Sequence, residues 1–427
     1  MLRCDWLPVF FFFGLFMSPD APLAACWAAA LFFMHRIVVR EEPRAWLWLG
    51  VAIGLGMISK YTIALLGAAF VVYVLLDRRS RRWLARPEPY VAVLIALILF
   101  SPVILWNWQQ HWASFSFQSE DRLASKFSFS LPRFIGNVIV LLTPTGVLSA
   151  VALVICRRQV AAGLAPTAGA SEATLGRSQL LLAWLTFFPV AVFAAVSLIR
   201  VSKLNWTGPA WLGLVPLMAM LVTPGLESGA AGLLTWCRRA WPPTIVICLL
   251  FYGATLQWLG PGLPGVSYPH DMHLIGWRDF GRDIELLVQR LSRETGQEIL
   301  VVGMDRNRIA SGLAFYRTQY LDAAGGRTGD DPASHTASEH LFGSVGLMYA
   351  LWFPASQQNG KTMLLIGKDA SSLENDRVLS RVKTAGKIGE IAVRKNGKPA
   401  GRYSYRLVTG YRATAAENAP GDAGRDD

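Results

Sequence analysis

Nine apolar stretches fill roughly the first 260 residues of this 427-residue chain, and the charges between them are sorted by side. A stretch such as YVAVLIALILFSPVILW at 90–106 approaches the length that an α-helix needs to cross a bilayer, about 20 residues for about 30 Å of hydrocarbon. Backbone amides in lipid have no water to bond, and a helix satisfies them within one segment of chain. The expected spans are 6–17, 21–38, 45–58, 61–76, 90–106, 134–155, 179–198, 209–223 and 242–259.

Basic residues fix the direction of threading. Arg36, Arg40 and Arg44 lie between the second and third spans, and Arg78, Arg79, Arg81, Arg82 and Arg86 follow the fourth. Arg157, Arg158 and Arg177 follow the sixth, while Arg238 and Arg239 precede the ninth. If nine spans alternate, every one of these arginines falls on the same side. That places the N-terminus in the cytoplasm and the residues after about 260 outside. A net charge of +12 would suggest nucleic acid in a soluble chain, but here it follows from topology, and no nucleic-acid partner is expected. Hydrophobic residues make up 53% and charged residues only 16%, which agrees with a membrane protein.

Beyond Leu259 polar residues return. Trp277 to Glu294 has helical periodicity, 298–304 reads as a buried strand, and Arg308 to Tyr316 is again helical. The segment 362–368 reads as a second core strand, and 386–394 with 404–407 as a hairpin or edge pair. The polar stretch 323–339 reads as a loop. The fold class is therefore an α-helical polytopic membrane bundle over 1–259, a C-terminal extracytoplasmic α/β domain over 260–413 and a disordered tail over 414–427. Cys4, Cys26, Cys156, Cys237 and Cys248 all lie in or beside spans, so no disulfide framework is expected in the outer domain.

Polar residues at the outer span ends are the candidates for chemistry. Lys60 sits in so short a connection that its ammonium must lie near membrane depth, where an unpaired charge costs about 2.5–3.5 kcal/mol. A lipid-linked phosphate would supply the anion, shared with Lys203, Arg200 or Arg122. The alternative is a lysine that snorkels to the headgroups. Asp20, between Pro19 and Pro22, reads either as a helix N-cap or as a carboxylate bordering a cavity, acting as base or orienting partner. In WNWQQHWASFSFQ at 106–118, aromatic faces and amides suit sugars, which puts Asn107, Gln110 and His111 beside Tyr61 as candidates. An interfacial aromatic helix is the competing reading. Glu120 and Asp121 are adjacent carboxylates of the kind that can hold a divalent metal, although a solvated pair is the simpler reading. His270 and His273 lack further ligands and read as surface residues.

SPDAPL at 18–23, GLGMISKYTIALL at 54–66, SPVILWNWQQHWASFSFQ at 101–118 and KLNWTGPAWL at 203–212 resemble the bacterial branch of the family 39 glycosyltransferases. These are membrane enzymes of the protein mannosyltransferase-like and aminoarabinose transferase-like kind. GWRDF at 276–280, LAFY at 313–316 and YALW at 349–352 are also similar. The resemblance implies a GT-C fold and a polyprenyl-phosphate-linked sugar as donor. It further implies a lipid, glycan or protein acceptor and inversion at the anomeric carbon, at the outer face of a bacterial inner membrane. By position, Asp20 matches an acidic residue of the second outer motif, Lys60 the lysine near the donor phosphate, and Lys203 with Asn205 and Trp206 a later outer-loop motif. The family begins with an additional helix and a first outer loop bearing an acidic pair. The expectation is that this chain starts downstream of that loop and so lacks one catalytic carboxylate. Two other classes compete. A transporter or flippase of lipid-linked sugars would show two related halves, and no such symmetry is visible. In a noncatalytic envelope assembly protein the outer domain would be the working part and the bundle an anchor.

Overall fold

The computed structural model describes residues 7–15, 18–110, 112, 114, 127–156, 158, 160, 171–221, 232–268, 275–323, 332–346 and 348–414. The chain divides into two units, Met1–Gly253 and Ala254–Asp427.

Helices form in the first unit where the apolar stretches lie: α1 Pro8–Leu15, α2 Asp20–Val39, α3 Ala45–Ser59, α4 Ile63–Leu76 and α5 Glu88–Gln109. They continue as α6 Leu131–Ile155, α7 Glu172–Ser197, α8 Leu214–Leu221 and α9 Gly232–Leu259, the last of which runs past Gly253 into the second unit. Five of these, α2, α5, α6, α7 and α9, are long and apolar enough to cross a membrane. The shorter α3, α4 and the segment 208–219 fall below that length. Two expectations are revised. The span expected from 209 opens as a 3-10 turn, Gly208–Gly213, with Pro209 at its start. Helix α7 begins several residues before its expected start because the Ser171 side chain caps it, accepting from the Thr174 N–H at 3.2 Å. Arg177 is consequently helical. Helix α6 is kinked at Thr143, whose φ of 65° precedes Pro144, since a proline lacks the N–H that the helix requires.

Charge gathers at the carboxyl end of α2. The Arg177 guanidinium donates to the Val38 carbonyl at 2.7 Å, to the Asp77 carboxylate at 2.6 Å and to the Ser80 hydroxyl at 3.1 Å. Arg36 pairs with Glu42 at 2.5 Å, and Arg79 and Arg82 both pair with Glu41. Partial burial alone would raise the Asp77 carboxyl, but hydrogen bonds from Ser80 and Arg177 outweigh it and hold the group below its ordinary value. These contacts tie the ends of α2, α4 and α7 together.

Helix α3 packs against α5 through missing side chains. A Cβ on Gly50 would overlap the Ala92 backbone, and one on Gly54 would stand 2.9 Å from Leu99 Cβ and 3.0 Å from Ala96 Cα. Small residues one turn apart let two helices approach closely where no hydrophobic effect drives them together.

In the second unit α10 Trp277–Thr295, β1 Ile299–Gly303, α11 Arg308–Ala323 and β2 Thr336–Ser338 are followed by β3 Thr362–Gly367, β4 Thr384–Lys395 and β5 Lys398–Thr409. The strands form one sheet in the order β2-β1-β3-β5-β4, with β1 parallel to both neighbours and β5 antiparallel to β3 and β4. Every residue of β1 and β3 is buried, as expected for parallel strands covered on both faces. The expected loop over 323–339 contains β2, a third parallel strand. Only Thr336, Ala337 and Ser338 form it, too few to show alternation. Buried Arg317 donates to Glu285 at 2.9 Å and to the Thr336 hydroxyl at 2.9 Å, locking α11 to α10 and to the sheet edge. Residues 415–427, expected to be a tail, lie outside the described residues.

The glycine contacts give a stability test. Gly50→Val should destabilise the first unit by about 1–3 kcal/mol, the range for overpacked cores, whereas Gly67→Ala, where nothing stands within 4 Å of an added Cβ, should be neutral or stabilising. Tryptophan-fluorescence melting of both proteins in detergent checks the contrast.

Candidate active site

Three polar side chains far apart in sequence meet at the amino end of α2. Lys60 Nζ donates to Asp20 Oδ1 at 2.6 Å, and Asn205 Nδ2 donates to Asp20 Oδ2 at 2.8 Å. The carboxylate is buried, with 6% of its side chain exposed, while the lysine side chain is 27% exposed. Because α2 has 20 residues, this cluster stands about 30 Å from the arginine-rich end at about 1.5 Å per residue.

Each member is placed by its element. Asp20 is the first residue of α2, and the Ser18 Oγ, not the aspartate, serves the helix end by accepting the Asp20 N–H at 3.3 Å. The capping reading of Asp20 is thereby set aside: its oxygens face Lys60 and Asn205, with the Ser18 hydroxyl a weaker donor at 3.5 Å. Lys60 ends α3 in an extended conformation, φ −162° and ψ 130°, which turns its side chain across to α2 instead of along its own helix. Snorkelling to headgroups is not its arrangement. The Ser59 hydroxyl donates to the Pro19 carbonyl at 2.8 Å and holds the two helix ends in register. The segment bearing Asn205 is anchored from α6: the Ser202 N–H donates to the Ser130 Oγ at 2.9 Å, and the Ser130 hydroxyl donates to the Arg200 carbonyl at 2.5 Å.

Among the other candidates, Tyr61 lies edge-on against Phe100 at 5.7 Å, next to the ion pair in sequence. Trp206 packs on Phe193 at 5.9 Å, and Lys203 is exposed just ahead of the single 3-10 turn Leu204–Trp206. Gln110 is half-buried at the end of α5. Asn107 is fully buried, and both ends of its amide serve the backbone, with Nδ2 donating to the Val103 carbonyl at 2.9 Å and Oδ1 accepting from the Ser114 N–H at 3.1 Å. Among the described residues its amide contacts close the end of α5. His111, Arg122, Glu120, Asp121, His270 and His273 lie outside the described residues. Among the described residues no group of three or more His, Cys, Asp or Glu is arranged to hold a metal ion.

Sequence reasoning put Asp20, Lys60 and Asn205 in one site but did not bond them to each other. Ser18 and Ser59 stood out only as polar residues at outer span ends, with no role given to either, and Ser130 was passed over. Chemically, the cluster is a carboxylate with both oxygens occupied and an ammonium that remains partly accessible. Such a cation can add a second anion as partner.

Residues 1–106 match the model of the dolichyl-phosphate-mannose-protein mannosyltransferase family. The chain is 24% identical over 247 residues to the lipopolysaccharide core galacturonosyltransferase RgtA of Rhizobium johnstonii, a stretch covering 56% of this chain and 41% of that protein. The chain thus matches less than half of this relative's length. No solved structure matches. The family match includes Asp20 and Lys60, and both similarities bear out the resemblance to GT-C glycosyltransferases.

Removing the carboxylate charge tests the cluster. Asp20→Asn should lower stability by about 1–3 kcal/mol because it leaves a partly buried ammonium without its counter-charge. The double variant Asp20→Asn with Lys60→Met should recover part of that loss. Thermal unfolding of both against the parent protein provides the measurement.

Proposed function

We propose that this relative of the GT-C glycosyltransferases is itself a membrane glycosyltransferase. In this reading it moves one sugar from a polyprenyl-phosphate donor to a lipid, glycan or protein acceptor at the outer face of a bacterial inner membrane. The observation that carries the proposal is the Asp20–Lys60–Asn205 cluster at one end of an apolar helix, with the arginines gathered at the other. By the positive-inside rule the arginine end is cytoplasmic and the cluster faces outward. Nine crossings, an N-terminus in the cytoplasm and an extracytoplasmic C-terminal unit complete this topology.

In the reaction, the acceptor hydroxyl oxygen forms a bond to the anomeric carbon as the bond from that carbon to the phosphate oxygen breaks. The electron pair leaves with the polyprenyl phosphate, and the acceptor proton passes to a base. Lys60 is the group for the departing phosphate, because a fixed cation where negative charge develops stabilises the transition state more than the ground state. Lys203, exposed on the segment that carries Asn205, is a second cation for the same phosphate. Asp20 fits the role of orienting partner better than that of base. With the Lys60 ammonium at 2.6 Å and the Asn205 amide at 2.8 Å, it would have to give up a contact before accepting a proton. Tyr61, Gln110, Trp206 and, from the sequence alone, Asn107 and His111 are the candidates for holding sugar and acceptor, with Arg122, also from the sequence alone, as a further phosphate ligand. No resident cofactor is assigned. The similarity to a lipopolysaccharide core galacturonosyltransferase supports a glycan acceptor within this reading.

The test is binding of undecaprenyl phosphate by native mass spectrometry of the detergent-solubilised protein. Lys60→Ala should reduce bound lipid at least about tenfold, equivalent to about 1.4 kcal/mol, while Lys60→Arg retains most of it. Equal binding by parent and Lys60→Ala proteins would remove the basis of the proposal.

A further inference from the structure

A crevice of about 370 Å³ opens in the C-terminal unit beside the last residues of β1 and β3, lined by Met304, Asp305, Arg306, Asn307, Arg308 and Lys368. Its place follows from topology. After β1 the chain passes through α11 to β2 on one side, then returns across the sheet to β3 on the other, as the order β2-β1-β3 requires. In open α/β sheets, ligands settle outside the carboxyl ends of the strands at the point where strand order reverses. Here that point lies between Gly303 and Gly367, and the Met304 N–H donates to the Ile366 carbonyl at 2.7 Å where the two strands end.

The crevice is cationic. Arg306, Arg308 and Lys368 are exposed, against one carboxylate, Asp305, which is half-buried. The Asp305 oxygens accept the N–H groups of Arg308 at 3.1 Å and Ile309 at 2.9 Å, and three cations against one carboxylate leave the lining net positive. Two guanidinium forks, one just before α11 and one at its first residue, and an ammonium after β3 form an arrangement suited to a tetrahedral or planar oxyanion. Farther along α11, the Ser311 hydroxyl and the Tyr349 phenol are 3.1 Å apart. Tyr349 also lines a second hollow of about 400 Å³ with Ser334 and Trp352, whose indole is 62% exposed. Both hollows border α11, one at Arg308 and Ile309 and the other at Ala314, with the Ser311–Tyr349 contact between them. Aromatic faces take the apolar CH faces of sugar rings, and hydroxyls take their polar rims.

We infer that the carboxyl edge of this sheet is a binding site for an oxyanion-bearing saccharide. Its phosphate or carboxylate rests on Arg306, Arg308 and Lys368, and its ring lies toward Tyr349 and Trp352. This site is separate from the Asp20–Lys60 cluster and does not depend on the transfer reaction proposed above.

The experiment uses the full chain in detergent carrying Asp20→Asn and Lys60→Met, so that the Lys60 contact to phosphate is removed, and the added substitutions below separate the two sites. Glucose 6-phosphate, glucuronate, glucose and inorganic phosphate are titrated by calorimetry. Glucose 6-phosphate or glucuronate should bind at least about tenfold more tightly than glucose, and whichever of the two binds more tightly identifies the oxyanion. Adding Arg306→Gln, Arg308→Gln and Lys368→Gln should abolish that preference without changing the melting temperature. If the triple substitution lowers melting, the pair Arg306→Gln and Lys368→Gln is used, with the same loss expected. An unchanged preference in these variants, or no preference in the starting protein, would overturn the inference. Inorganic phosphate binding as tightly as glucose 6-phosphate would overturn the saccharide assignment.

Discussion

An ammonium and a carboxylate 2.6 Å apart, in a part of the molecule built almost wholly of apolar side chains, set the terms for everything around them. The buried carboxylate is not tolerated alone, because removing a charge from water without a partner costs several kcal/mol. Asp20 and Lys60 lie 40 positions apart, and Asn205 lies 185 positions from Asp20. Satisfying one carboxylate therefore fixes the relative positions of α2, the end of α3 and the segment that precedes α8. The serine contacts from Ser59 to Pro19 and from Ser202 to Ser130 act in the same direction, at neutral groups.

The opposite end of α2 is organised by the same rule with different residues. Arg177 there gathers a carbonyl, a carboxylate and a hydroxyl from three elements. A helix pinned by charge at both ends has little freedom to slide or rotate, and close packing at Gly50 and Gly54 holds α3 against α5. The polar cluster is thus carried on a rigid frame, which the stabilisation of a departing phosphate proposed above would require.

The helical part of the fold was legible because lipid imposes one solution on an apolar stretch, and Lys60 stood out because so short a connection cannot carry its charge into water. The boundaries were less legible. Arg177 was read as a loop residue, yet it belongs to α7, since the Ser171 cap and not the loss of hydropathy decides where that helix starts. Asn107 read as a sugar-binding amide because its neighbours are aromatic. Its actual partners are backbone groups at the end of α5, which spacing cannot reveal. In the C-terminal unit, β1, β3 and the final hairpin were visible as apolar or alternating runs, but β2 was not. Its three residues are buried by α11 and β1, and nothing in their own composition shows it. The pairing of Asp20 with Asn205 was hidden for a related reason, because Asn205 is an exposed residue whose importance lies only in where its amide reaches.

An experimental structure of the protein with undecaprenyl phosphate bound tests the central claim most directly. The account requires a phosphate oxygen within hydrogen-bonding reach of Lys60 Nζ, about 2.7–2.9 Å for a charge-assisted bond, with Asp20 still beside the lysine. A phosphate seated elsewhere, with Lys60 contacting Asp20 alone, would contradict it.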